Sequence, residues 1–378
     1  MTESGSAGTP VHFDDMRTRE GSSLLAKTQR VFTAAGLESC VSQKDLVAIK
    51  LHWGEVGNLA YLAPPLVRTV VDLVKDCGAK PFLTDANTLY RGGRRNAVDH
   101  ILTAYRNGFT PETVGAPIVV SDGLRGMDYV KVKGSGIHFK ELKISSAVHY
   151  ADALIVLSHF KGHVLMGFGG AIKNLGMGCA APAGKQSMHS DLRPAVKRPR
   201  CLGCGSCVKH CPSGAARLGE DGKAAIDQKL CIGCGDCTVV CPEGAIPVRW
   251  KTDGRAVLEK TVEYAMGAVE GKKGKCGFMN FLMRITPDCD CLAWNDTPIT
   301  PDLGILAARD PVAIDQASVD LVNRAPAMPD SRLVNAAAED KFREVTGVDW
   351  EPQLAYAEKL GLGSRRYELV RPNAGQAG

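Results

Sequence analysis

The sequence predicts an α/β fold: a mostly parallel sheet forming a host domain, with a small α+β module inserted into it. Three observations lead there. Apolar strand-like runs alternate with segments of helical spacing through roughly the first 150 residues, eight cysteines crowd into residues 201–241, and the same alternation resumes after the cysteines end. The implied division is 1–196 for the first part of the host, 197–250 for the module, and 251–378 for the second part of the host.

Taken in order, LVAIKLH (46–52) is an apolar run ending in a polar loop, and PPLVRTVVDLVKDCG (64–78) has helical spacing from a proline start to a glycine stop. PFLTDA (81–86) followed by RRNAVDHILTAYRNGF (94–109) repeats that unit, and APIVVSD (116–122) adds a third strand, so a parallel sheet covered on both faces is expected. YVKVKGSGIHFKELKI (129–144) alternates about a glycine-containing centre and reads as a hairpin, whereas ALIVLS (153–158) is a buried strand of the parallel kind. HFKGHVLMGFGGAIKNLGMGC (159–179) holds six glycines, too many for a helix throughout, and the polar, proline-containing stretch 182–200 should lead out of the host. Past the module, 253–274 is a helix, FMNFLMRI (278–285) and DLGILAA (302–308) are strands, and Asp310 with Pro311 caps and starts a helix over 311–323.

Charge and hydropathy exclude several classes. With 46 Lys and Arg against 41 Asp and Glu, the formal charge of +5 is too small for a chain of 378 residues to imply nucleic acid or an anionic membrane surface. No run approaches the roughly 20 apolar residues of a spanning helix, and the polar start lacks the apolar core of a secretory signal, so a cytoplasmic location is expected. Disulfides are disfavoured by the same reasoning, because regular short cysteine spacings in a reducing compartment indicate metal ligation.

The two runs CLGCGSCVKHCP (201–212) and CIGCGDCTVVCP (231–242) share the spacing C-x2-C-x2-C-x3-C-P, each an internal copy of the other. In this spacing three thiolates wrap one [4Fe–4S] cube and the fourth reaches across to the other. Cluster one is therefore assigned to Cys201, Cys204, Cys207 and Cys241, and cluster two to Cys231, Cys234, Cys237 and Cys211. Two zinc sites are the alternative, but four-thiolate zinc motifs rarely place all four cysteines in one 11-residue run. The segment resembles bacterial ferredoxins with two [4Fe–4S] clusters, through all eight cysteines and through Pro212 and Pro242. That resemblance implies two low-potential one-electron carriers.

The flanking sequence resembles the domain of unknown function 362 family, which is found fused to such ferredoxin-like modules. The residues carrying the resemblance are KLHWGEVGN (50–58), DANTLYRGGR (85–94), SHFKGHVLMGFGGAIKNLGMGC (158–179), GKQSMHS (184–190), ITPDCDC (285–291) and PDLGILAARDPVAIDQAS (301–318). It implies an iron–sulfur electron-transfer role. HVLMGFGGAIKNLGMG is also similar to a His- and Gly-rich segment of nickel-pincer lactate racemases, with no second motif here to support that chemistry.

Several of these motifs fall just beyond strand ends, where open α/β sheets bind ligands: His52 and Glu55, Asp85 and Asn87, and His159, Lys161 and His163. The glycine-rich run 167–178 could present backbone amides, together with Lys173 and Asn174, to a phosphate or carboxylate, although it matches no Walker or dinucleotide fingerprint. His159, Lys161, His163, Lys173 and Asn174 are thus the candidate cofactor-binding residues, for a flavin or another anionic ligand. Among the remaining cysteines, Cys40 and Cys77 read as small buried hydrophobes, while Cys179, Cys289 and Cys291 could converge on a metal or a reactive thiol. Lys185, Arg193, Lys197, Arg198 and Arg200 form a basic cluster before the module, suited to steering an acidic redox partner.

The expected function is electron transfer of the ferredoxin type, passing single electrons between redox partner proteins. An iron–sulfur oxidoreductase whose clusters feed a flavin or anionic substrate near His52, His159, His163 and Lys173 is the alternative, and a redox-sensing assembly factor a third. Hydrolysis has no support, because no Ser-His-Asp order, HExxH helix or paired-carboxylate motif occurs.

Overall fold

The computed structural model describes residues 8–89, 92–189, 193–231, 233, 235–247 and 254–372. Its centre is an eight-stranded sheet of β1 (Thr9–Asp15), β2 (Leu46–Lys50), β3 (Lys80–Asp85), β4 (Ile118–Val120), β5 (Ala153–His159), β6 (Cys276–Leu282), β7 (Gly304–Ala308) and β8 (Tyr367–Val370). The order is β8-β1-β7-β6-β5-β2-β3-β4. The five strands from β6 to β4 are mutually parallel, and β7 lies antiparallel to both β6 and β1. A mostly parallel α/β sheet is therefore what forms. The edge strand β8 and its neighbour β1, which pair parallel to each other, carry no alternation strong enough to be read from sequence.

The helices used below are α1 (Leu24–Ala34), α2 (Pro64–Asp76), α3 (Ala97–Arg106), α4 (Ala171–Cys179), α5 (Pro182–His189), α6 (Ser206–Lys209), α7 (Asp236–Val240), α8 (Gly254–Val269) and α9 (Pro311–Arg324). Side chains of β5 alternate between two cores: Ile155 and Leu157 meet Val31 and Phe32 of α1 and Val67 and Val70 of α2, while Leu154 and Val156 share a core with α4, α8 and α9. Burial on both faces is why this strand reads as an unbroken apolar run. The Asp310 carboxylate caps α9 by accepting from the amides of Val312 and Ala313, as its position before Pro311 predicts.

One expectation holds and one fails: residues 159–179 are not helical throughout, with short strands at Lys161–His163 and Gly167–Gly169 before the helix. The glycine-rich segment is helical over α4 because a Cβ at Gly176 would stand 2.2 Å from the Thr261 carbonyl oxygen of α8, so its absence lets the two helices touch. The stretch after it does not leave the host at once: α5 is a helix of buried residues, polar ones included. Composition suggested an exit because Lys185, Gln186 and His189 are polar; they face a polar interior instead.

Residues 201–246 gather around a small core of their own that contains Ala216, Ala224, Ala245 and Ile246 together with cysteines, and a two-stranded hairpin pairs Ala216–Leu218 with Ala224–Ile226. The internal repeat is structural as well as sequential, since Gly205 and Gly235 stand in left-handed conformation immediately before α6 and α7. Contacts tie this segment to the host. The Lys143 ammonium lies 3.0 Å from the Asp236 carboxylate, and Gly235 abuts Gln186 so closely that a Cβ would come within 2.3 Å of it.

Chain order runs from β2 outward to β3 and β4, then returns to β5 and β6 on the opposite side of β2. The strand order thus reverses between β2 and β5, and a crevice outside their carboxyl ends is where ligands bind in sheets of this kind.

Candidate functional site

The last residues of three neighbouring parallel strands meet at that edge: Lys50 of β2, Asp85 of β3 and His159 of β5. Lys50 is fully buried, with its ammonium 2.9 Å from Asp85 and donating to the Asn174 side-chain oxygen at 2.7 Å. Burial raises the Asp85 carboxyl, but the Lys50 ammonium and the two nearby histidines outweigh it and hold the acid well below its usual range. Arg94 closes the group, 3.5 Å from Asp85 and 3.3 Å from Glu55, and donates to His52 Nε2 at 2.7 Å. Burial, then Arg94, pushes His52 far down; burial pushes His100 down to about 4 despite Asp85 beside it. Both rings are neutral at pH 7.

His159 and Lys161 already have partners within the chain. His159 Nδ1 lies 2.8 Å from Asp290 and its Nε2 is 2.8 Å from the Met283 carbonyl, while Lys161 donates to the His159 carbonyl at 2.8 Å and sits 3.3 Å from Asp290. The expected amide cradle is also filled by the protein itself: the amides of Ala171 and Ile172, opening α4, donate to Asp315 at 2.7 and 2.9 Å.

Beyond this floor lies a cavity of about 190 Å³ whose polar wall includes His52, Arg94, His163, Lys173, Lys185 and His189. A smaller pocket of about 30 Å³ adjoins it through His52, Asp85 and Lys173, and is walled by His159, Lys161 and Asn174. All five sequence-predicted binding residues therefore line one void or the other, with Lys173 shared. Lys185 belongs here rather than to a surface basic patch: it is buried, donates to the carbonyls of Ala86 and Asn87 at 3.2 and 2.6 Å, and burial lowers its pKa against the pull of Asp122. Burial likewise pushes His189 down to about 3. Arg193, Lys197, Arg198 and Arg200 remain exposed, with Arg198 paired to Asp221.

Cys289 and Cys291 do converge at this place, and Cys179 does not. Donor atoms of His163, Cys289 and Cys291 lie within 4.8 Å of one another, a grouping that could hold a metal ion, and the Lys173 ammonium is 3.3 Å from Cys289 Sγ. The Cys291 hydrogen bond, together with Lys173 and His163, holds the Cys289 thiol well below its usual range although burial opposes this, and the same bond drives Cys291 up. Cys179 is buried apart, pushed up to about 11 by desolvation.

In the cysteine-rich segment, Cys201, Cys204, Cys207 and Cys241 bound one small void, and Cys211, Cys231 and Cys237 bound a second; Cys234 lies outside the described residues. Backbone amides point at the sulfurs: Ala224 to Cys201 at 3.3 Å, Ala245 to Cys241 at 3.2 Å, Ala216 to Cys211 at 3.4 Å and Gly233 to Cys231 at 3.4 Å. The second void is also lined by Gly235, the residue on which Gln186 packs. Helix α5 thus presents Lys185 and His189 to the cavity and Gln186 to the cysteine-rich segment.

Sequence reasoning missed Lys50, Arg94, His100 and His189 as parts of one site. Arg94 and His189 stood inside motifs already singled out, DANTLYRGGR and GKQSMHS. Lys50 opens another of those motifs, KLHWGEVGN, at the end of an apolar run, where a charge with a strand's burial on both sides is itself the signal.

The model of the family described as "Domain of unknown function (DUF362)" matches residues 47–320. The chain is 28% identical over 185 residues to the thylakoid-associated protein sll1697 of Synechocystis sp. (strain ATCC 27184 / PCC 6803 / Kazusa), an alignment covering 47% of this chain and 53% of that protein. It therefore spans about half the length of the curated relative it matches. Among solved structures, the lactate racemase apoprotein from Thermoanaerobacterium thermosaccharolyticum aligns with a TM-score of 0.36 and 13% identity, covering 68% of this chain and 48% of the other. A protein from Thermotoga maritima aligns with a TM-score of 0.36 and 9% identity, covering 70% and 52%. Among the described residues no helix is long and apolar enough to cross a membrane. The family match extends over most of the chain, including the strand ends that meet at the cavity and the cysteine-rich segment beside it, and this protein belongs to the DUF362 family.

Proposed function

We propose that this is an iron–sulfur electron-transfer protein in which residues 201–241 hold two [4Fe–4S] clusters and pass single electrons between redox partners. One observation carries the reading: the cysteines sort around two voids in crossed sets, with Cys241 of the second run joining Cys201, Cys204 and Cys207, and Cys211 of the first joining Cys231 and Cys237. Crossing is what two cubes in this motif require, and a pair of zinc sites built run by run would not produce it. Amide donors on at least one sulfur from each end of each run suit thiolates bound to a cluster. When bound, the clusters supply one-electron chemistry; the chain's part is to hold them, donate to their sulfurs and place the second set against α5. Iron and sulfide analysis of anaerobically purified protein tests this, with about eight of each per chain expected. Cys204→Ser and Cys241→Ser should abolish the same cluster signal, and Cys234→Ser and Cys211→Ser the other. About two zinc per chain with negligible iron would refute the reading, and loss of one common signal in all four variants would refute the ligand assignment.

A second reading, an oxidoreductase acting on a flavin or small anion in the cavity, is favoured by α5, which forms a wall shared between the cavity and the second cysteine set. Calorimetric titration with flavin mononucleotide, phosphate and small carboxylates tests it. Binding that is lost in Lys173→Ala supports this reading; no binding by the wild type returns the protein to the carrier role.

A further inference from the structure

The trio of His163, Cys289 and Cys291 admits two chemistries, and the proton on His163 separates them. A histidine that binds a metal gives one nitrogen's lone pair to the ion and donates its other N–H to an acceptor. Here His163 Nδ1 faces two donors, the amides of Leu165 and Met166, each at 3.2 Å. Nδ1 is therefore the accepting nitrogen. With Nδ1 accepting, the ring's proton sits on Nε2, the nitrogen on the side of Cys289. No lone pair remains on that side for a metal.

The same contacts fit a thiolate. Cys289 Sγ is buried and meets the Lys173 ammonium at 3.3 Å, the His163 N–H and the Cys291 thiol. Cations and N–H donors converging on sulfur stabilise its anion. Cys291 is less buried and lines the 190 Å³ cavity. The two cysteines are one residue apart in a tight turn, closed by the Leu292 amide donating to the Cys289 carbonyl at 3.0 Å, which holds their sulfurs near each other.

We propose that Cys289 and Cys291 are a redox-active dithiol–disulfide pair at the wall of the host cavity, taking up two electrons delivered singly by the two iron–sulfur clusters. In the reductive direction the S–S bond accepts two electrons, one from each reduced cluster, and one proton. The products are the Cys289 thiolate, held by Lys173 and His163, and the Cys291 thiol, which carries the proton. In the oxidative direction the new S–S bond forms as that proton leaves for the cavity and both electrons return to the oxidised clusters. The pair converts one-electron carriers into a two-electron centre facing any ligand the cavity takes. The electron source rests on the iron–sulfur reading; the dithiol chemistry does not.

The test uses the full-length, anaerobically purified protein. One portion is reduced with excess phosphine, another oxidised with diamide, and both are trapped with N-ethylmaleimide before unfolding and peptide mass mapping. Iron and sulfide are counted in the same samples. Labels on both cysteines after reduction, and an unlabelled, disulfide-linked Cys289–Cys291 peptide after oxidation, are expected whether or not iron is present. If iron is present, reductive titration of oxidised wild type should consume about four electron equivalents per chain, against about two in Cys291→Ser. Lys173→Gln should raise the pair's reduction demand, shifting its midpoint to lower potential with the cluster signals unmoved. Two labels on the diamide-treated sample, or equal titrations in wild type and Cys291→Ser, would overturn the proposal. So would a stoichiometric metal that shields both thiols until a chelator removes it. Should Cys291→Ser fail to fold, the wild-type labelling decides alone.

Discussion

Lys50 and Asp85 show how much one buried charge can decide. A fully buried ammonium is tolerated because Asp85 and Asn174 satisfy it, and removing one partner strands the other in a medium that solvates it poorly. Asp85→Asn should therefore cost roughly 3–5 kcal/mol in denaturant unfolding, more than a surface substitution could. His100 adds a pH dependence. Its folded-state pKa, near 4, lies below the 6.5 of the unfolded chain, so the unfolded state binds more protons between those values. The stability it contributes is complete above pH 6.5 and is lost as pH falls towards 4. Between pH 7 and pH 5 this amounts to about 2 kcal/mol, and His100→Asn should flatten the unfolding free energy over that window by about that much. An unchanged slope in the variant would place the titration elsewhere, with His52 and His189, whose shifts have the same sign.

At the scale of elements, α4 and α5 carry the site. Contact between α4 and α8 at Gly176 leaves no room for a methyl group, so Gly176→Ala should destabilise by about 1–3 kcal/mol through overpacking, read as a lower denaturant midpoint. The shift should come without loss of the cysteine-rich segment's own spectroscopic signals. Gly235→Ala is the complementary case. It combines a left-handed backbone, costing about 1–2 kcal/mol for a residue with a Cβ, with a clash against Gln186 of α5. If the segment holds clusters as proposed, its expected mark is iron and sulfide content retained at the wild-type level with a lower denaturant midpoint. Neither element was legible in its function. Glycines in 159–179 gave no sign of where its helix would lie, and polar residues in 182–200 suggested an exit, because composition records what a residue is and not what packs against it.

For the molecule as a whole, the exposed Lys197, Arg198 and Arg200 lie beside the first cysteine void, which Arg200 itself lines. An acidic redox partner steered to that face should exchange electrons more slowly as salt is added, by on the order of 10-fold or more between low and high ionic strength. Reversing Arg198 and Arg200 together to Glu should remove most of that dependence. A rate indifferent to both changes would leave the patch as ordinary solvated surface. Lys185 takes no part in this, being buried on the cavity side of α5.

The sequence by itself determined the alternation of β2, β3, β4 and β5 with their helices, the Asp310 cap on α9 and the spacing of two cysteine runs, because period, capping and ligand spacing are local properties that a few adjacent residues decide. It also brought His159, Lys161, His163, Lys173 and Asn174 to the sheet edge, since strand ends are where parallel sheets expose such residues. Only the tertiary structure decided which of those charges already have partners. Asp290, distant in sequence, partners His159 and Lys161; Asp315 fills the amides that open α4; and Cys289 and Cys291 arrive beside His163 and Lys173 from the far side of the cysteine-rich segment. Electrostatic pairing depends on distance in space, and a spacing of more than a hundred residues along the chain carries no trace of it.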